Sequence, residues 1–424
     1  MNLKRSFVLF VSLLFLNLLS AEGKILAIED AVRLAKENNI SVKTAENNLD
    51  SRAVQNKYSW NSVSPAANLD GKFVDDIDDS TSLSLSGAVS LSLKTNLYSE
   101  IKGAKLNYEK ELLTYSEAVR QIELSVRKKF YNLIYQKENL VLQNRSLETS
   151  RAQYLNNEEK FKNGKISELD AFTSRVNYES KKPVVESAEI NFQNDLASFK
   201  QLLGIPQETE IALDGSLDDF LNLKEISFGL LPKVDEPAPD VKSAEYDVEI
   251  AKNSLLNLRF SAYAPVITGS YSYGKSKKSM QDDWMTTNQL SVGVSVPLDG
   301  ILPWSSSAVK IKEQKNALDT AEKVLEDAKT TVAVQTESYI RKINQAVKQL
   351  DSLKSTEKLA EQTYKMTLAA YNYGKTDFLS LQNANDSVLS AGVNLKSQAY
   401  TLISTILDLE SVLGLEFGTL ETKK

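Results

Sequence analysis

The side chains that carry most enzyme chemistry are missing. The 424 residues include no histidine and no cysteine, which removes imidazole bases, Ser-His-Asp triads, thiolate nucleophiles and most zinc sites. Carboxylates are plentiful, 56 Asp and Glu against 50 Lys and Arg, but no isolated carboxyl pair stands apart from solvated helix faces. There is no phosphate-binding loop of the Gly-x-x-x-x-Gly-Lys-Ser/Thr type. Neither an enzymatic activity nor a cofactor or metal is expected. A formal charge of −6 with both signs mixed along the chain disfavours nucleic acid as a partner.

The elements around this silence are more informative. Lys4 and Arg5 precede an apolar run from Phe7 to Leu16, extended through Leu18 and Leu19 and followed by Ser20, Ala21 and Gly23. Residues 1–23 therefore read as a signal peptide, cleaved after Ala21 or Gly23, because the run is shorter than the roughly 20 apolar residues of a spanning helix. Beyond it no stretch is long and apolar enough to cross a membrane as a helix. Any membrane span must be β.

The chain repeats itself. Tyr154, Phe161, Gly164, Lys165, Leu203 and Gly204 return as Tyr364, Tyr371, Gly374, Lys375, Leu413 and Gly414, all at an offset of 210 residues. Upstream, Val42 to Glu46 (VKTAE) returns as Val241 to Glu245 (VKSAE), and Ser64-Pro65 as Ala264-Pro265. The reading is two tandem copies, 24–204 and 240–414, joined by a linker at 205–239 that contains Pro206, Pro232, Pro237 and Pro239, with a tail at 415–424.

Each copy begins as a helix and then changes period. Two strands are expected at about 66–74 and 82–94 in the first copy, and at about 265–274 and 288–298 in the second. Strict alternation puts Leu83, Leu85, Val89, Leu91 and Leu93 on one face and mainly serine, including Ser84, Ser90 and Ser92, on the other. In the second copy Leu290, Val292 and Val294 oppose Ser291 and Ser295. The same alternation suits a half-buried soluble sheet; the signal peptide and strands of about ten residues favour a barrel wall with the leucine–valine face in lipid. The hairpin tips, Asp75–Ser80 and Lys275–Asn288, would then lie outside the cell. After each hairpin, apolar residues step by three and four, as in Ile101, Ala104, Tyr108, Leu112, Tyr115, Val119, Ile122, Val126, Phe130 and Leu133. This predicts long helices at about 97–161 and 305–371, near 95–100 Å each, with return helices at about 166–203 and 376–413. Pro183 is a candidate kink in the first return helix.

Two hairpins supply four strands, too few to close a barrel, and open edges in hydrocarbon are costly. The protomer must associate, and two, three or four copies would give eight, twelve or sixteen strands.

The order helix, hairpin, long helix, Gly-containing turn and return helix, twice over behind a signal peptide, resembles the TolC-like outer-membrane efflux family. LAIEDAVRLAKENNISVKTAE from Leu26 is similar to the family's opening helix, and LSVGVSVPLDG from Leu290 to its last strand. FKNGKISELDAFTS from Phe161 and YNYGKTDFLSLQNA from Tyr371 are similar to its two turns. The resemblance implies an α+β, mostly α fold: a homotrimeric twelve-stranded barrel in the outer membrane, contacting its lipid, continued by a helical tunnel into the periplasm. It implies a passive duct for small-molecule efflux or protein secretion, served by a periplasmic adaptor and an inner-membrane pump. It also implies a periplasmic constriction beyond the turns Gly164-Lys165 and Gly374-Lys375, using Asp170 and Tyr371. Thr376 stands where a relative can place Arg, and Ser380 and Asn383 stand where carboxylates can ring the opening. Without the resemblance, Asp170 reads as part of a solvated face with Glu168, and Tyr371 as seam packing. A periplasmic coiled-coil adaptor or a structural cell-envelope protein is the alternative function.

Overall fold

The computed structural model describes residues 24–76, 80–221, 237–278 and 282–420. The signal-peptide reading, residues 77–79 and 279–281 of the hairpin tips, linker residues 222–236 and tail residues 421–424 lie outside them.

The elements follow the two-copy order. A short strand β1 (Lys24–Leu26) leads into α1 (Ile28–Asn38) and α2 (Ile40–Lys57), then into β2 (Ala66–Asp76) and β3 (Ser80–Lys94). Next come α3 (Leu97–Lys162), α4 (Glu168–Leu203) and β4 (Ile211–Leu213). The second copy runs α5 (Pro239–Tyr263), β5 (Val266–Lys277), β6 (Met285–Ser295), α6 (Ser306–Asn372) and α7 (Phe378–Leu413). At 1.5 Å per residue, the 66 residues of α3 and 67 of α6 make rods of about 100 Å. Neither contains a proline or a mid-helix glycine break, so nothing in the sequence stops them before Gly164 and Gly374. Pro183 lies inside α4, which continues through it from Glu168 to Leu203.

The four long strands form one antiparallel sheet in the order β2-β3-β5-β6. Here β6 ends at Ser295, short of the sequence expectation, because Pro297 has no N–H to continue a ladder. On the helical side, α4 packs on α3, α3 on α7 and α7 on α6, while nearer the sheet α2, α3, α5 and α6 pack in that order. So α3 and α6 run the full length. The shorter helices divide it, α2 and α4 beside one rod, α5 and α7 beside the other.

The core lies where these shorter helices meet. Val126, Phe130, Leu133 and Ile134 of α3 pack with Phe199 and Leu203 of α4, Ile343 and Leu350 of α6, and Leu402, Ile403 and Ile406 of α7. Against them lies a feature the sequence did not reveal, a parallel two-stranded pair of β1 with β4. The opening helix is also divided. Asn39 caps α2 by accepting the Ser41 N–H (2.8 Å) and donates to the Leu202 carbonyl (2.8 Å), which anchors the break to the end of α4. Gly204 closes that end with φ +68°, and a Cβ there would sit 2.8 Å from the Asn38 backbone, so glycine is required by both conformation and space.

Charge ties the same level together. Arg127, with 8% of its surface exposed, holds both carboxylate oxygens of Glu29 (3.0 and 3.1 Å) and one of Glu123 (2.8 Å), while Lys36 reaches Glu123 at 2.6 Å. Glu410 is fully buried and accepts the N–H groups of Gly418 and Leu420 (3.0 and 2.7 Å), pinning the C-terminal turn. Burial raises the Glu410 carboxyl above its ordinary range, against the pull of those two N–H groups and of Arg127 and Arg120.

Candidate functional site

No helix among the described residues is long and apolar enough to cross a membrane, and none of the Asp and Glu clusters among them could hold a metal ion. Two regions stand out instead, the sheet wall and the far end of the helices.

Residues paired across an antiparallel ladder share a face. Leu83 pairs with Phe73, Leu85 with Gly71, Val89 with Ala67 and with Tyr271, and Leu91 with Gly269. Further across, Tyr271 pairs with Leu290, Gly269 with Val292 and Ile267 with Val294. The apolar sets of all four strands therefore fall on one side. The other side carries Ser84, Ser90, Ser92, Ser270, Ser272, Ser291 and Ser295 with Asn68, Asp70 and Lys72. Nothing in the protomer covers the apolar side: Leu290 and Val292 are 76% and 77% exposed, and Leu69 is 77% exposed. Among the described residues β2 and β6 each pair on one edge only.

At the opposite end the two copies make the same turn. Gly164 and Gly374 both have φ +68°, and a Cβ on either would meet nothing within 4 Å. Lys165 N–H returns to the Lys160 carbonyl and Lys375 N–H to the Ala370 carbonyl (2.8 and 2.9 Å), the left-handed helix ending that glycine permits. Both tips face open space, with Lys165 and Lys375 exposed.

The second helix of each pair is then capped by a side chain. Ser167 accepts the Asp170 N–H (3.1 Å) and donates its hydroxyl to the Asp170 carboxylate (2.7 Å). Asp377 accepts the Ser380 N–H (2.8 Å), and hydrogen bonding from the Ser380 side chain and N–H holds its carboxyl below the ordinary range. Asp386, further along α7, pairs with Lys181 of α4 at 2.8 Å. The nearby carboxylates are therefore engaged in capping or pairing. Ser380 and Asn383 are exposed on the first turns of α7.

Tyr371 is half-buried. Its hydroxyl donates to Asn157 Oδ1 at 2.6 Å, the Lys160 ammonium lies 4.6 Å from its ring centre, and Phe378 meets the ring edge-on. Burial raises its hydroxyl above the ordinary tyrosine range; the Asn157 bond opposes this and the neighbouring Asp170 charge adds to it. Asp170 and Tyr371 thus come within electrostatic reach of each other. Sequence reasoning missed Asn157. Ser146, Ser150, Gln153 and Asn157 step by four, three and four along α3, but it is their burial in the structure that sets them apart from solvated positions.

The outer helices of the packing order carry uncovered apolar stripes. On α4 these are Leu169, Phe172 and Val176, and on α6 Leu359, Met366 and Tyr373, all more than half exposed.

Residues 230–415 match the family described as outer membrane efflux protein. A curated relative, outer membrane protein TolC of Vibrio cholerae, is 19% identical over 306 residues, 71% of this chain and 69% of its own length. Among solved structures, the CmeC outer membrane channel of Campylobacter jejuni superposes with a TM-score of 0.79 at 17% identity, over 91% of this chain and 85% of that one. The VceC outer membrane protein of Vibrio cholerae gives 0.73 at 13% identity, over 92% and 96%. The MtrE outer membrane channel of Neisseria gonorrhoeae gives 0.68 at 18%, over 92% and 89%. The second copy thus matches the outer membrane efflux protein family, and nearly the whole chain shares the fold of these outer-membrane channels.

Proposed function

We propose that the chain is the outer-membrane duct of a multipart export system, in which three copies close a twelve-stranded barrel and continue it as a tunnel through the periplasm. The observation that carries this reading is the sheet: four strands with one continuous apolar face and two single-paired edges. An isolated four-stranded sheet would leave both edges unpaired in hydrocarbon, at several kcal/mol per backbone group. Joining β6 of one copy to β2 of the next satisfies them. The α4 and α6 stripes supply the matching helical joint. Four strands per copy do not themselves choose three, and that number follows the family likeness, as do a periplasmic adaptor and an inner-membrane pump as partners.

Transport through such a duct is passive, driven by the pump. The serine-rich face then lines the barrel lumen. Asp170 and Tyr371 sit at the narrow, periplasmic end, with Ser380 and Asn383 as neutral side chains on the first turns of α7. The test is reconstitution of the purified oligomer in planar bilayers. Discrete single-channel conductance steps are the expected result; a protein that inserts as a folded oligomer and conducts nothing would overturn the reading.

A further inference from the structure

The apolar side of the sheet changes character toward the hairpin tips. Along β5 that side runs Ile267, Gly269, Tyr271 and Tyr273, and then Lys275 and Lys277. Lys277 pairs with Leu83 and Lys275 with Leu85 of β3, while Thr286 of β6 flanks Lys275 on its other edge. The other lysines of the described barrel strands, Lys72 and Lys94, pair with Ser84 and Val266 and fall on the serine side. Asp75, one pair further out on β2 than Phe73, is engaged by the Thr81 hydroxyl (3.3 Å). The partner of Lys277 is a ring: its ammonium lies 5.4 Å from the centre of Trp284, a cation–π contact that holds the indole beside it.

Strand geometry gives the height of these lysines. Successive same-side positions are about 6.8 Å apart along a strand, and a tilt of about 40° leaves about 5 Å of that as height. Gly269 is level with Val292, so Lys275 and Lys277 stand three and four positions above it, at about 15 and 20 Å. An apolar band about 25 Å tall and centred on Val292 ends about 12 Å out. Tyr273 falls near that edge. Both ammonium groups lie beyond it, at headgroup level, where a lysine costs little and its stem still covers apolar surface. Two ammonium groups on one side of one strand repel each other, and an anion between them relieves that repulsion.

Resting on the lipid-facing side of the duct reading above, we propose that Lys275 and Lys277, with Trp284 and Thr286, form one site per copy for the phosphate group of an anionic outer-leaflet lipid. The two ammonium groups bond phosphate oxygens, and the Thr286 hydroxyl and Trp284 indole N–H add donors at the same level. A lipid fits better than a soluble anion because the apolar side continues directly below, through Leu85, Tyr271 and Leu290, where acyl chains can lie.

In the experiment, the purified oligomer is placed in phosphatidylcholine nanodiscs doped with lipid A, a phosphorylated glycolipid, or with the same lipid stripped of its phosphates. Mass spectrometry then reads the doped lipid retained per chain after detergent extraction. The unaltered protein should retain the phosphorylated form and lose the stripped one. Lys275→Gln and Lys277→Gln should each lower retention about fivefold, and together about 25-fold, as expected for two lysines near a charged surface. Lys275→Arg with Lys277→Arg keeps both charges and should keep the lipid. Lys72→Gln, on the serine side, should match the unaltered protein. Equal retention of the two lipid forms, unchanged retention in the double glutamine variant, or an equal fall in Lys72→Gln would overturn the site. Displacement by inorganic phosphate at matched concentration would reveal a free-anion site and overturn lipid as the occupant. If the glutamine variants fail to fold, the two lipid forms on the unaltered protein still decide. Retention is read without conductance, so an oligomer that conducts nothing removes the duct reading while the lipid data still judge the site.

Discussion

Replacing Val292 with arginine separates the two faces of the sheet. Val292 is the middle of the three apolar positions Leu290, Val292 and Val294, lies opposite Gly269 and is 77% exposed in the protomer. If that side meets lipid, Val292→Arg places a guanidinium near the centre of the apolar band, at about 2–4 kcal/mol per copy. Three copies bring the cost to about 6–12 kcal/mol for a closed barrel, comparable with the whole stability of an ordinary domain. Ser291, the next residue, pairs with Ser270 on the other side. Arginine there remains hydrated in a polar lumen and should cost about 1 kcal/mol or less per copy. Gel shift with and without heating, over a urea series, reads the fraction of folded oligomer in membranes. Val292→Arg should nearly abolish the folded band, and Ser291→Arg should leave most of it. Equal loss in the two variants would refute the assignment of faces, and greater loss for Ser291→Arg would invert it.

Two further perturbations probe the helical part. Arg127→Met strips Glu123 and Glu29 of their guanidinium and should cost about 3 kcal/mol in a urea-unfolding series. Burial works to raise Glu123, but bonds from Lys36 and Arg127 outweigh it and hold its carboxyl below the ordinary range. Its contribution is therefore present above the ordinary glutamate pKa and lost as pH falls through the lowered value, so Arg127→Met should flatten the acid side of the stability profile. Glu410 runs the other way: its carboxyl is raised, so its contribution is present below the ordinary value and lost as pH rises through the raised one, and Glu410→Gln should remove that slope. At the tip, Ser380→Asp combined with Asn383→Asp adds two carboxylates per copy and should increase cation over anion permeability in bilayer reversal potentials. An unchanged reversal potential would place the narrow point elsewhere.

How much the sequence disclosed depended on periodicity. The switch from alternation at Ser82–Leu93 to three-and-four spacing after Ile101 is a signal spread over dozens of residues, and the mostly helical α+β fold was legible from it. The strands β1 and β4 are three residues each, too short to show a period, and their pairing joins distant parts of the chain. The break at Asn39 also escaped notice, because it depends on a bond to Leu202 at the far end of α4. At the tip, the turns were visible from Gly164-Lys165 and Gly374-Lys375. Their interior was not: serine, glutamine and asparagine at seam positions look like solvated positions until a neighbouring helix covers them. Asp170 was matched by likeness, whereas the bond to Tyr371 comes from Asn157, a residue that only packing brings forward.

In the proposed duct, copies of this chain join side by side, α4 of one to α6 of the next. Phe172 lies eight residues after Gly164 and Met366 eight before Gly374, so with the two turns level they stand at one height. Leu169 and Val176 then fall between the heights of Tyr373, Met366 and Leu359, as interlocking helices require. Since the natural chain has no cysteine, Phe172→Cys with Met366→Cys can be oxidised in intact cells without background. The expected products are covalent dimers and trimers, nothing larger, that reductant returns to single chains and that neither single variant yields in full. Single chains alone after oxidation, with the protein folded in the outer membrane, would contradict this arrangement.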